Sequence, residues 1–133
     1  MPSFETMGLP QRPDLLAPDG SQVRVLLRLQ GGSMAHFRLD PGQTSKPVAH
    51  RSVEELWYVL SGRGEIWRRQ AGDEEVTPLQ PGDCLSIPLG TAFQFRCTGS
   101  EPFDAVAVTL PPWPGDGEAY AVDGPWQPGI EVR

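Results

Sequence analysis

His50 and Glu55 are the residues whose types and spacing can do chemistry together in this 133-residue chain. His50 ends the run Pro47-Val48-Ala49, and Glu55 opens an apolar run through Leu60. A carboxylate beside an imidazole orients the ring and raises its basicity, which sets a general base near working pH. In an apolar setting the same two groups also serve as polar handles for a bound molecule, hydrogen-bonded to each other or to water. Acid–base catalysis and ligand binding are therefore both open to the pair.

These side chains must be positioned by strands. Residues 22–30 alternate, with Val23, Val25, Leu27 and Leu29 on one face and Arg24 and Arg28 on the other, the pattern of a half-buried strand. After Gly31-Gly32 the alternation resumes over 33–40: Ala35, Phe37 and Leu39 share one face, and Met34, His36 and Arg38 share the other. That mixed second face reads either as a solvated surface or as the polar wall of a pocket. Pro41-Gly42 turns the chain toward His50. Glu55, Trp57 and Val59 then share one face of a strand whose other face is Leu56, Tyr58 and Leu60, so the reading has this strand covered on both sides. Shorter runs follow at 65–69, 76–80, 84–88, 92–97 and 102–110, separated by Gly- and Pro-containing turns, and Pro78 gives its strand an edge position. About nine short strands and no sustained helical period predict an all-β sandwich or barrel. One domain over 1–133 is expected, with a barrel core at about 22–110, an N-terminal arm at 1–20 and a tail at 111–133.

The composition narrows the partners. With 38% hydrophobic and 21% charged residues the chain has an ordinary balance for a soluble protein, and its net charge of -6 disfavours nucleic acid and anionic membranes. No apolar run is long enough to span a bilayer, and the first residues lack the pattern of a secretion signal, so a cytoplasmic location is expected. Cys84 and Cys97 do not form a CxxC pair, which argues against a zinc ribbon. The tail is too apolar to float free and too rich in Pro and Gly for a helix. It is expected to pack Trp113 and Trp126 on the domain or across a dimer, and an exposed one would favour an interaction module.

Two glycine-proline frames in the chain resemble those of the cupins, small jelly-roll β-barrels. The first is Gly42, five residues, Val48, Ala49, His50, four residues, Glu55, six residues, Gly62. The second is Gly82, five residues, Pro88, Leu89, Gly90, two residues, Phe93, three residues, Cys97. The spacing matches without a gap, and the resemblance covers residues 22–110. It implies a cupin-type jelly-roll fold and, as is common in the family, a homodimer. In metal-binding cupins two histidines and a glutamate of the first frame and a histidine of the second hold a divalent transition metal. Here Val48 and Phe93 stand at two of those positions, leaving His50 and Glu55, and catalytic metal sites usually supply about three protein ligands. His36 is the one candidate for a further ligand, which would make a metal-dependent oxygenase possible. No cofactor is otherwise implied.

If the inward parity of the family holds, Trp57, Phe93 and Phe95 line the barrel with His50 and Glu55, and His36 and Arg38 add a polar wall. Arg38 and Arg96 are candidates for an anion contact. The implied function is a small-molecule-binding cupin with an apolar pocket. The alternative is an isomerase, epimerase or cyclase in which His50 moves the proton.

Overall fold

In the computed structural model, which describes residues 3–129, the alternating runs form strands and no helix is present among the described residues. The strands are β1 (Leu15–Leu16), β2 (Gln22–Arg28), β3 (Ser33–Leu39), β4 (Val48–His50), β5 (Glu54–Ser61) and β6 (Gly64–Gln70). They continue with β7 (Asp73–Leu79), β8 (Cys84–Ile87), β9 (Ala92–Cys97), β10 (Phe103–Leu110) and β11 (Ala119–Ala121). They build two antiparallel sheets, one ordered β1-β2-β3-β10-β5-β8 and the other β11-β4-β9-β6-β7. From β3 to β6 and from β7 to β11 the chain steps from one sheet to the other at each connection. This is the all-β jelly-roll arrangement, and it brings β4, β5 and β9 together around one interior. No helix among the described residues is long and apolar enough to cross a membrane.

Burial follows the alternation. Glu55, Trp57 and Val59 point inward from β5 and are buried, while Leu56, Tyr58 and Leu60 point outward and are about half exposed. The expectation that β5 is covered on both sides is therefore corrected: its outer row is apolar but open in the single chain. Leu39, Val59, Ile66, Phe95, Phe103 and Ala105 fill one part of the interior. Fully burying an aliphatic or aromatic side chain contributes about 1.5–3 kcal/mol, so this cluster supplies much of the cohesion between the sheets. The hairpin between β5 and β6 needs its glycines. Gly62 has φ +77, and a Cβ there would stand 2.2 Å from the Pro102 carbonyl oxygen. A Cβ on Gly64 would stand 2.6 Å from that of Arg96.

Two features depart from the alternation. The register of β2 against β3 shifts between Val25 and Arg28, which marks a bulge. An added residue inverts the facing of everything after it, so Leu26 and Arg28, rather than Leu27 and Leu29, turn to the interior cavity. The two arms also contribute strands. In the N-terminal arm β1 pairs with β2, and Arg24 donates hydrogen bonds to the carbonyl oxygens of Pro10 (2.7 Å) and Gln11 (2.9 Å). In the tail β11 pairs with β4, placing Ala119 opposite His50. Short pairings of this kind carry no periodic signal, which is why both segments read as irregular.

Candidate functional site

The part of the interior not filled by the core is a cavity of about 330 Å³. Val48 and His50 reach it from β4, Glu55 and Trp57 from β5, and Phe93 from β9. Phe37 on β3 and Trp113 in the tail complete its aromatic wall. Val48 and His50 are two apart on one strand and so share a face. Val48 lies directly opposite Phe93 across the β4–β9 ladder. The four positions picked out by the sequence frames, Val48, His50, Glu55 and Phe93, thus meet at one cavity.

His50 and Glu55 lie side by side and are both buried. His50 Nδ1 and Glu55 Oε2 are 3.2 Å apart, but they are off-line for a hydrogen bond, and Nδ1 has no other protein partner. Glu55 Oε1 accepts a hydrogen bond of 2.7 Å from Trp57 Nε1. The His50 ring meets Phe93 and Trp113 edge-on, with centroids 5.3 and 5.1 Å away. Behind it, Glu118 accepts bonds from the backbone N–H groups of Ser52 (2.7 Å) and Val53 (3.0 Å) and from the Ser52 hydroxyl, fixing the β4–β5 turn.

Electrostatics reverse the roles expected from the sequence. Burial pushes His50 down to about 4, against a weaker upward pull from Glu118. Burial also pushes Glu55 up to about 7, only partly offset by the Trp57 N–H. Loss of hydration disfavours the charged form of each group. The carboxyl group, not the imidazole, therefore titrates near neutrality, and the expectation that Glu55 raises the basicity of His50 is corrected.

The other expected site residues lie elsewhere. His36 and Arg38 project from the outer face of the six-stranded sheet. His36 Nε2 is 3.2 Å from Asp104 Oδ1, and Arg38 donates to both oxygens of Asp104 at 2.8 and 3.3 Å. His36 is buried because Arg24, held by the N-terminal arm, stands opposite it in the β2–β3 ladder on the same face. His36 therefore cannot serve as a further ligand to the cavity, and Arg38 cannot form part of its wall. Phe95 is two residues beyond Phe93 and belongs to the packed core, 4.9 Å edge-on from Trp57. Arg96 is bound to Glu65 and lies over the Trp126 ring at 4.1 Å, so it makes no anion contact in the cavity. Trp113 and Trp126 are both partly buried against the domain, which removes the exposed tryptophan on which an interaction module would depend. Sequence reasoning missed Phe37, Arg28, Asp19 and Trp113 as cavity neighbours. The inward alternation of Phe37 with Leu39 was a signal for the first; the bulge and the irregular segments hid the others.

The donor set does not fit a tightly held divalent ion. Two of the four convergent positions carry hydrocarbon side chains, and no three His, Cys, Asp or Glu side chains are grouped to hold a metal among the described residues.

Residues 35–109 match the cupin domain family. The chain belongs to the cupin family. The uncharacterized protein MJ1618 of Methanocaldococcus jannaschii is 28% identical over 103 residues, spanning 74% of this cupin and 79% of the relative. A double-stranded β-helix protein from Klebsiella pneumoniae superposes with a TM-score of 0.63 at 24% identity, covering 82% of this chain and 91% of that one. The oxalate decarboxylase of Bacillus subtilis, whose structure was studied for its Mn(II) centres, superposes with a TM-score of 0.70 at 16% identity. That match covers 84% of this chain but 30% of the decarboxylase. At these identities the structural likeness is one of fold.

Proposed function

We propose that this cupin binds a small, largely apolar molecule inside its barrel, with His50 and Glu55 as the polar handles. The observation that carries this reading is the convergence of a buried imidazole, held neutral by burial, and a buried carboxyl group on a cavity whose aromatic wall is Phe37, Trp57, Phe93 and Trp113. Pockets of this kind are mostly apolar with a few placed polar groups, and an apolar cavity of about 150 Å³ already admits benzene. The test is tryptophan fluorescence and thermal unfolding in the presence of one-ring compounds, since Trp57 and Trp113 flank the cavity. Binding should quench the emission and raise Tm, and Val48→Trp, which fills the cavity, should abolish both. If no compound of that size has either effect, the reading is wrong.

One observation favours a catalytic second reading. Glu55 holds a proton near pH 7 beside an unprotonated imidazole with a free Nδ1. An acid and a base so paired suit proton transfer of the isomerase, epimerase or cyclase type. It would be supported by exchange of a ligand C–H proton with deuterated solvent that is lost in Glu55→Gln.

We also propose that two copies pair through the outer face of the six-stranded sheet. Leu56, Tyr58 and Leu60 form an exposed apolar row there, beside half-buried Val106 and Val108 on β10. Phe4, Met7 and Leu9 of the N-terminal arm are exposed as well. A second copy supplies each of these surfaces with an apolar counterpart, as a two-fold interface requires. Sedimentation should show a dimer that Tyr58→Glu converts to a monomer; a monomer in the unmodified protein refutes the pairing.

A further inference from the structure

We infer that the cavity selects an uncharged molecule carrying a hydroxyl or enol group, and that it excludes carboxylates and other anions. This inference rests on the binding role proposed above and adds the chemical class of the ligand.

The first observation is the charge around the cavity. Asp19, Glu55 and Asp116 border it, and the charge of Glu118 is felt at His50. Against these stands one bordering cation among the described residues, Arg28, at the end of β2. The two arginines the sequence offered for an anion, Arg38 and Arg96, are engaged by Asp104 and Glu65. A carboxylate entering the cavity would meet acidic groups and apolar rings, with no cation at its floor and only the neutral groups of Glu55 and His50 to replace its hydration. Burying an unpaired charge in such surroundings is strongly unfavourable. The count does not depend on the protonation of Glu55, because an ionised Glu55 repels an anion further.

The second observation is the floor itself. His50 Nδ1 and Glu55 Oε2 stand 3.2 Å apart with no hydrogen bond joining them. Buried polar atoms in native proteins are nearly all hydrogen-bonded, so His50 Nδ1, buried with no partner, is incomplete without a visitor, and Glu55 Oε2 stands beside it. A hydroxyl donates one hydrogen bond and accepts others, and it can therefore serve both atoms at once. A carboxylate only accepts, and an ammonium only donates. An ammonium would further find one oxygen of each of these two carboxyl groups of the inner wall, Asp19 and Glu55, already engaged. Asp19 accepts from the Ser21 backbone N–H at 2.9 Å and hydroxyl at 2.7 Å, and Glu55 Oε1 accepts from Trp57. The burial-driven shifts of His50 and Glu55 agree with this picture, since both groups tend toward their neutral forms.

The test is calorimetric titration of the full chain at pH 7 with four one-ring probes of one shape: 4-methylphenol, toluene, 4-methylbenzoate and 4-methylbenzylammonium. The phenol should bind about tenfold tighter than toluene, the ratio expected for one or two net hydrogen bonds. The benzoate and the ammonium should bind at least about tenfold more weakly than toluene, given the cost of burying an unpaired charge. In His50→Leu the preference for the phenol over toluene should fall to about one, as the loss of one partner of the bridging hydroxyl requires. Benzoate or ammonium binding as tightly as the phenol overturns the inferred class while leaving the binding role intact. So does a phenol preference that survives in folded His50→Leu. Failure of all four probes, toluene included, removes the binding role and this inference together.

Discussion

Two histidine–carboxylate pairs of equal separation, 3.2 Å, lie on opposite sides of the six-stranded sheet, and their surroundings make them different objects. On the outer side, Asp104 faces His36 and accepts hydrogen bonds from Arg38 and from the Ser61 hydroxyl at 2.7 Å. Burial alone would raise its pKa, but these donors and the positive charge of Arg38 outweigh it and hold Asp104 below the ordinary carboxylate range. On the inner side, Glu55 has one neutral donor, Trp57, and no arginine, so burial wins and its pKa rises to about 7. An imidazole beside a carboxyl group thus gives an ionised clamp where a guanidinium is present and a pair retaining a labile proton where it is absent. Separation does not identify a functional pair; the neighbouring cation does.

Several substitutions would break or sharpen this contrast. The largest effect is expected from Asp104→Ala, which leaves His36, Arg38 and Ser61 without their shared acceptor. Breaking a buried pair costs about 3–5 kcal/mol, and the lower end applies because the Arg38 side chain is 34% exposed. Urea unfolding should show a loss of about 3 kcal/mol, and a loss under about 1 kcal/mol would mean the clamp is not structural.

Next in size is a pH effect confined to the inner pair. Glu55 has a raised folded pKa, so its contribution to stability is complete below about 4.5 and is lost as pH rises through about 7. His50 has a lowered folded pKa, so its contribution is complete above 6.5 and is lost as pH falls through about 4. Between pH 4.5 and 6.5 the two slopes oppose each other. Relative to the unmodified protein, Glu55→Gln should therefore gain stability with rising pH and His50→Gln should lose it. Each difference should be on the order of 2 kcal/mol across that window. Urea midpoints measured at pH 4.5, 5.5 and 6.5 check this, and parallel profiles for all three proteins would refute the reversed roles.

A smaller change, about 1 kcal/mol, is expected for His36→Gln, because it loses one contact to an acceptor that keeps its arginine. Toluene affinity should stay within about twofold in this variant, since His36 does not border the cavity. A large loss of affinity would show that the two sides of the sheet are coupled. The smallest effect belongs to Trp57→Phe, which removes the single donor to Glu55. A hydrogen bond to the ionised form lowers an acid's pKa, so carbon NMR of the Glu55 carboxyl should show its titration moving upward. A downward movement would mean that the Trp57 N–H is not what holds it.

This contrast also marks what was legible in the sequence. An all-β sandwich or barrel followed from alternation and turn chemistry, while its jelly-roll form and the placing of Val48, His50 and Glu55 at one site came from the resemblance of the frames to those of the cupins. The frames named positions rather than environments, so they gave His50 the proton that burial assigns to Glu55. His36 and Arg38 were offered to the pocket because their strand face is mixed in character. Only the pairing of β3 with β10 brings Asp104 to them and shows that face to be the outside. Arg28 was hidden by one added residue in β2, and Trp113 and Glu118 by lying in segments without a period. Contacts between strands distant in the chain decide such cases, and a pattern of period two within one strand does not contain them.

The attachment of Glu118 to the β4–β5 turn has a consequence for the order in which the protein is made. The residues of both sequence frames are synthesised before the segment that supplies Trp113, Glu118 and β11. A nascent chain that has just completed β10 already holds His50 and Glu55, yet the edge of the His50 ring is still uncovered and the turn carrying Ser52 and Val53 is unanchored. The cavity is therefore walled only when the last strand docks. A ribosome-bound chain halted before Glu118 would display an open barrel whose aromatic lining is accessible to chaperones.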